Sequence, residues 1–497
     1  MEAGQYVPSP PCLGRRRSVV PGEPEGTTED HGTRALVVVQ ESPQPPFECA
    51  ALTRHPTSMW SALARCAARR RFGAPSVARG RPGWRLLATA AATLCLSLIG
   101  SACAGSAGQR TSASQTPSVP TARLSITPAS GTGSVKPQKG IMVKVLGGKI
   151  VKVSVDTRGD PVTGILDSAA TTWHSRWALD TATRYTVRAT ARDAAGKTVT
   201  ATSTFRTLTP LQTFATQIFE GHGLSYGVGM PIILKFSRPI SDRRAVERSL
   251  RLWSSKRVVG AWYWDGSSTL YFRTRSYWPA HTKVRFVAHL NGIEGAPGVY
   301  GTHTLRQSFV IGDSLIAVAS TRTHHVRIYL NRHLFADWPI SSGRSGDDTP
   351  NGTYLTIEKQ NPAHMKGPGY DIQVPWSVRF TWSGDYLHDA YWSVGEQGFA
   401  NVSHGCVNLS PAHAKTYYQL AVPGDPVTIN GSPRGGTWDN GWTVWFLPWR
   451  ELLRGSALHE AVRAGPNGST FVDPASLPPS RAKPPLGAPR PRNAAPA

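Results

Sequence analysis

Ser403-His404-Gly405-Cys406-Val407-Asn408-Leu409-Ser410 is the stretch on which the reading of this chain turns. A second histidine, His388, stands sixteen positions before His404, and no other cysteine occurs after Cys103. In an exported protein a lone thiol has no partner for an internal disulfide, so Cys406 needs another reason to be present. Nucleophilic catalysis supplies one, because a thiolate is reactive and two histidines are at hand as proton acceptors. Gly405 lets the backbone approach closely and aim amide N–H groups at a developing oxyanion. Asn408 and the hydroxyls nearby suit a buried, hydrogen-bonded turn.

Three other readings compete. Cys406 as a small buried hydrophobe leaves the two histidines and the glycine unexplained. A zinc site from His388, His404 and Cys406 has the three ligands of a catalytic centre, yet His-x-Cys lacks the usual four-ligand spacing. A papain-like or caspase-like protease would carry a local signature around its thiol that is missing here.

Working outward, the 497 residues are too many for one core. Gly and Pro are abundant, and Thr, Val and Trp alternate with polar residues through the middle, which marks a mainly β protein. The formal charge of +24 is uneven: residues 1–58 carry −2, 59–102 carry +7 and 456–497 carry +3, leaving +16 on 103–455. A basic body suits nucleic acid or an anionic wall or membrane surface. No recognition helix, zinc-finger spacing or RNP-like strand accompanies it, so nucleic acid is set aside.

Leu86 to Gly100 is an apolar run of fifteen residues, preceded by Arg69, Arg70, Arg71, Arg79, Arg81 and Arg85 and followed by Ser101-Ala102-Cys103. That order is a secretory signal layout, too short for a span of ~20 residues. Cys103 is a lipidation candidate; ordinary cleavage near Ala104 or an uncleaved anchor are the alternatives. Export to the cell envelope, facing the wall and held at the membrane, is therefore expected. Residues 1–58 are a doubtful extension, with Met59 as a candidate start, and 59–103 form the export segment. A Ser/Thr/Gly/Ala-rich linker occupies 104–122.

Short strand patterns at Ile141–Val145, Ile150–Val155, Tyr185–Ala191 and Thr198–Phe205 suit an immunoglobulin-like sandwich over 123–209. A second of the same style spans 210–312. A third domain is expected over 313–432, with Gly352 permitting a tight turn. A Trp-rich subdomain, 433–455, should fold back on it. The tail 456–497 reads as unstructured from its Pro and Ala content. His324, His325 and His333 fall at strand edges, His364 on a surface segment, and His413 near a helix start.

His388 with Ser-His-Gly-Cys-Val-Asn at 403–408 resembles the signature of the L,D-transpeptidase (YkuD-type) family. Ser342-Gly343 and Thr349-Pro350-Asn351-Gly352-Thr353 are similar to that family too. The start of the second sandwich, Gly227-Val-Gly-Met-Pro-Ile, resembles mycobacterial members, as does the Trp-rich end. The resemblance implies attack by Cys406 on a peptidoglycan stem peptide, release of D-Ala, and resolution of the thioester by another stem to form a 3→3 cross-link. It implies His388 as proton partner, His404 as support, and an oxyanion hole from the Gly405 and Cys406 amides with the Tyr370 hydroxyl. Met365, Ser383, Trp392, Ser403 and Asn408 fall at substrate-cleft positions, under a flap of roughly 360–385. No cofactor or metal is implied. Asp389 departs from the family's frequent Ser after the histidine, and is an orienting candidate if its side chain takes part. An L,D-carboxypeptidase, with water as acceptor, and a wall-binding scaffold with a retired site are the alternatives.

Overall fold

A computed structural model describes residues 121–367 and 369–479. The export segment, Cys103 and almost all of the expected linker lie outside the described residues, as does 480–497.

The first domain is a two-sheet sandwich. Arg123–Thr127, Met142–Leu146, Thr172–Ser175 and Gly164–Leu166 make one antiparallel sheet, and Gly148–Thr157, Arg184–Asp193 and Thr198–Arg206 the other. In Arg184–Asp193 the residues Tyr185, Val187, Ala189 and Ala191 are buried while Arg184, Arg188 and Arg192 face water. This period-two pattern commits one face of the strand to the core.

The second sandwich has a four-stranded sheet of Ser225–Tyr226, Leu305–Ile311, Thr282–Ala288 and Leu250–Ser254. Its other sheet is six-stranded and contains an addition from far along the chain. Ala461–Gly465 pairs antiparallel with Val258–Asp265, and Gly468–Val472 continues the sheet outward. The tail expected to be unstructured beyond 455 is thus a β-hairpin as far as 472. Its Pro466-Asn467 pair sits at the turn, while Ala461, Val462 and Ala464 are buried. Average composition hid a short strand that covers a sheet edge.

The third domain is built on the sheet His333–Pro339, His325–Leu330, Leu315–Ser320, Pro426–Asn430 and Gly352–Leu355. Beside it lies the sheet Glu358–Gln360, Ser377–Arg379, Tyr386–Asp389 and Val407–Leu409. The hairpin Ala363–Gly367/Tyr370–Val374 occupies the expected flap. Helix Pro411–Leu420 starts at Ser410, whose hydroxyl accepts from the His413 amide at 3.4 Å. Gly352 corrects an expectation. It opens a strand rather than making a tight turn, and a Cβ there would lie 2.3 Å from the Phe446 ring.

The Trp-rich segment does not fold back on the third domain alone. Trp442, Val444, Trp445 and Leu447 join the core of the second sandwich, while Phe446 enters that of the third. Arg273 is the clamp: its Nη1 donates to the carbonyls of Val444 (3.1 Å) and Leu447 (2.8 Å), and its guanidinium lies 4.6 Å from the Trp445 ring centroid. Trp445 Nε1 donates to the Gly229 carbonyl at 2.7 Å. Arg273 is almost wholly buried, and burial pulls its pKa down to about 10, which still leaves it charged at neutral pH. Arg273→Ala should cost about 2–4 kcal/mol, because two buried carbonyls lose a charged donor. Urea unfolding measures this, and a loss under ~0.5 kcal/mol would remove the clamp from the account.

Candidate active site

The site grows from one parallel strand pair. Leu387 pairs with Val407, His388 with Asn408 and Asp389 with Leu409. Leu387, Val407 and Leu409 enter the core. Alternation then turns Tyr386, His388, Cys406 and Asn408 toward the other face, with Cys406 diagonal to His388. Parallel neighbours need a crossover, and residues 390–406 provide it, carrying the short 3₁₀ turn Tyr391–Ser393 and returning through the cysteine turn.

That turn is tied on both sides. Ser403 Oγ donates to the Cys406 carbonyl at 2.6 Å and accepts from the Gly405 amide at 3.2 Å. Thr349 Oγ1 donates to the Gly405 carbonyl at 2.7 Å and accepts from the Gly343 amide at 2.9 Å. Gly405 has φ +128°, and a Cβ would lie 2.4 Å from Asp385 Oδ1, so no other residue fits without strain.

His388 is buried, and its Nδ1 lies 2.6 Å from the Asp389 main-chain carbonyl. A carbonyl only accepts, so Nδ1 carries the proton and Nε2 is left as the base. The carbonyl, not the carboxylate, orients the ring; the Asp389 carboxyl bonds instead with the Tyr391 amide. Asp389 as a side-chain orienting group is therefore corrected to a main-chain role. Cys406 Sγ is 3.7 Å from the Gly384 carbonyl.

Tyr370, on the flap, tilts over the exposed His404 with ring centroids 5.0 Å apart, and Trp392 lies 6.0 Å from His388. Met365 shares the flap hairpin, paired with Ile372. Asn408 is buried and donates to Ser393 Oγ at 2.9 Å, so it braces the turn bearing Trp392 rather than lining the cleft. Ser403 likewise faces inward, and at rest its hydroxyl occupies the Gly405 amide expected in the oxyanion hole. Ser383 is exposed and ties the site to the Trp-rich segment through Asn440, its amide donating to Asn440 Oδ1 at 2.7 Å. Among the described residues no group of three His, Cys, Asp or Glu could hold a metal ion, and no helix is long and apolar enough to cross a membrane.

Two families match the chain: a bacterial Ig domain over residues 132–294 and the L,D-transpeptidase catalytic domain over 314–429. L,D-transpeptidase 5 of Mycobacterium tuberculosis is 31% identical over 395 residues, covering 76% of this chain and 82% of that protein. The chain belongs to the L,D-transpeptidase family. L,D-transpeptidase 2 of the same organism is 30% identical over 67% of this chain and 85% of its own length. A solved L,D-transpeptidase structure in complex with imipenem is 34% identical, matched over 44% of this chain and 100% of that one, with a TM-score of 0.38.

Two residues of this transpeptidase's site escape sequence reasoning. Asn401 Oδ1 accepts from the Ser342 amide (3.0 Å) and hydroxyl (2.5 Å), pinning the crossover to the third domain's frame. Asp385 is buried, its Oδ2 accepting from Thr381 Oγ1 at 2.7 Å and Ser383 Oγ at 3.2 Å. Burial raises its pKa. The Gly405 contact predicts closeness only once the fold is known, and Gly-Asp-Tyr reads as an ordinary turn.

Burial pushes the Cys406 thiol up to about 12, with the Asp385 charge adding to it and the Tyr386 amide opposing. Burial likewise pulls His388 down to about 4, against the Asp389 carbonyl bond, which raises it. Both shifts run in the direction that favours a neutral thiol beside a neutral imidazole at rest.

The sign of the pH effect follows. Protonating His388 removes its lone pair, so acylation should fall as pH drops through about 4 and stay level from pH 6 to 9. Asp389→Ser should leave that profile in place, since the orienting carbonyl remains. A rate–pH series of acylation on both proteins decides it, and a displaced profile in the variant would return the carboxylate to the mechanism. Asp385→Asn removes a charge that opposes thiol ionisation, so iodoacetamide should alkylate Cys406 roughly 3–10 times faster at pH 8. Unchanged alkylation of a folded variant would show that the Asp385 charge does not reach the sulfur.

Proposed function

We propose that the enzyme forms 3→3 cross-links between peptidoglycan stems by two acyl transfers at Cys406. The observation that carries this is the placement of Cys406 diagonal to a buried His388 whose Nδ1–H is held by a carbonyl. Cys406 Sγ attacks the carbonyl between the third stem residue, usually diaminopimelate, and the terminal D-Ala. The sulfur–carbon bond forms, the thiol proton passes to His388 Nε2, and the C–N bond then breaks. His388 returns the proton to the departing D-Ala nitrogen, leaving a thioester. The side-chain amine of an acceptor stem attacks that thioester, its proton passes to His388, and the sulfur leaves to regain it.

The Cys406 amide and the Tyr370 hydroxyl receive the oxyanion, with Gly405 joining if its amide exchanges Ser403 for substrate. Burial raises the Tyr370 pKa, with the charges of Cys406, Asp347 and Asp385 adding to it, so it stays a protonated donor. Met365, Trp392 and His404 line the cleft, and Ser383 supports it from the segment that follows the Ala363–Gly367/Tyr370–Val374 hairpin. The neutral resting thiol fits a site that reacts only once an acyl donor is seated. Export by the segment around 86–103, with lipid on Cys103 or an uncleaved anchor, would place the enzyme at the membrane facing the wall. The cationic body faces an anionic wall or membrane surface there.

Intact mass after incubation with a carbapenem tests the first half-reaction, with Cys406→Ala beside it. One adduct on the wild type and none on the folded variant is expected; no adduct on folded wild type would sink the catalytic reading. Disaccharide-tetrapeptide tests the second: cross-linked dimer is expected, whereas D-Ala release without dimer would mean a carboxypeptidase.

A further inference from the structure

The outer face of the second sandwich carries a lattice of cations that the chemistry at Cys406 does not use. Three neighbouring strands, Leu250–Ser254, Thr282–Ala288 and Leu305–Ile311, hold Arg251, Lys283, Arg285 and Arg306 and not one Asp or Glu. The register sets their arrangement. Arg251, Val287 and Arg306 form one row; Trp253, Arg285 and Ser308 form the next on the same face; Lys283 and Val310 follow. With strands ~4.8 Å apart and ~3.4 Å per residue, the four cations fall within about 10 by 14 Å.

None of the four makes an ion pair among the described residues. Arg176, from the first sandwich, adds a fifth cation at the end of the lattice, and its charge acts with burial to lower the Arg251 pKa. Like charges gathered this closely repel one another, so they weaken the fold unless something else draws on them.

Two of the four cations are held against aromatic rings. Arg285 lies 3.9 Å from the Trp253 ring centroid and Arg251 lies 4.7 Å from that of Trp177. Trp177 also stacks on His289, with ring centroids 3.8 Å apart, and Arg176 lies 6.0 Å from its centroid. Burial and the charges of Arg306, Arg251 and Arg176 pull His289 down to about 4 against the opposing charge of Asp160, so it is a neutral plate in the stack. Over these rows is an open groove of about 350 Å³, lined by Trp253, Lys283, Arg285, Ser308 and Val310, with Pro466 of the C-terminal hairpin at its edge. The Arg285 guanidinium, pre-set by its ring and with Lys283 beside it on an open groove, suits phosphate oxygens on a narrow chain.

We propose that this face binds a linear wall glycopolymer carrying phosphodiester groups, and so holds the enzyme on its polymeric substrate while the catalytic domain works on stems. The proposal rests on the reading of the protein as a wall enzyme and names a second site of contact in it. A membrane is the weaker occupant. These three strands expose no large apolar side chain and arginine caps both tryptophan rings, which leaves the exposed Leu224 beside Val310 too little apolar surface for a bilayer anchor.

The test is co-sedimentation of the full-length protein with three probes. These are wall sacculi with their phosphodiester polymer attached, the same sacculi stripped with cold hydrofluoric acid, and vesicles of phosphatidylglycerol. Binding to intact sacculi should be salt-sensitive and should weaken about tenfold on stripping. The Lys283→Glu/Arg285→Glu pair should weaken it to a similar degree. Arg306→Glu, at the exposed end of the lattice, should give a smaller loss and guards against the double variant disturbing Trp253. Thermal unfolding verifies that each variant folds.

Cross-link formation on soluble disaccharide-tetrapeptide should be unchanged in all variants. That assay fails on its own if the catalytic reading is wrong, while the binding result stands apart from it. Equal binding to stripped sacculi, wild-type binding by both folded variants, or binding to vesicles and not to sacculi would each overturn the proposal.

Discussion

The parallel pairing of Tyr386–Asp389 with Val407–Leu409 is the constraint from which the site follows. Parallel neighbours cannot be joined by a tight turn, so the chain must leave the sheet after His388 and come back before Cys406. The excursion delivers Trp392 to one side of the imidazole and the Ser403–Cys406 turn to the other. The core then settles the rest. Leu387 and Val407 take the inward positions, and the thiol and imidazole are left facing the same way by alternation alone.

Around that pair the bonding is redundant where position matters and sparse where ionisation matters. Thr349, Gly343, Ser342 and Asn401 all brace the crossover or its turn. The sulfur meets a carbonyl, a backbone amide and the field of a buried acid, and no cation is among the influences on it. On the proposed mechanism, such a site keeps its nucleophile quiet in the absence of substrate and places the demand for proton transfer on one imidazole with a fixed tautomer.

Much of this was legible in the chain. Cys406, His388 and Gly405 announce themselves because acyl transfer by a thiol needs those residue types close together, and strand alternation in the first sandwich is strong enough to read directly. What stayed hidden depends on contacts between distant segments. Asp385 reads as a turn acid until Gly405 is folded against it. Asn408 carries the same letter whether it faces substrate or Ser393. The Trp-rich segment is visibly apolar, but its destination is set by Arg273, some 170 positions earlier, donating to its carbonyls. The hairpin after 455 was missed because Ala and Pro dominate the average, while the five residues Ala461–Gly465 needed only a vacant strand edge to pair.

That hairpin has a consequence for the order in which the protein can be made. Val258 pairs with Ala464, across more than 200 intervening residues that include the whole catalytic domain. Contacts so far apart in sequence are late and slow to form. The second sandwich therefore cannot be finished as it emerges, and its sheet waits for residues 461–472. A chain interrupted between Cys406 and Ala461 would hold the thiol and both histidines and still lack the strand that extends its second sandwich.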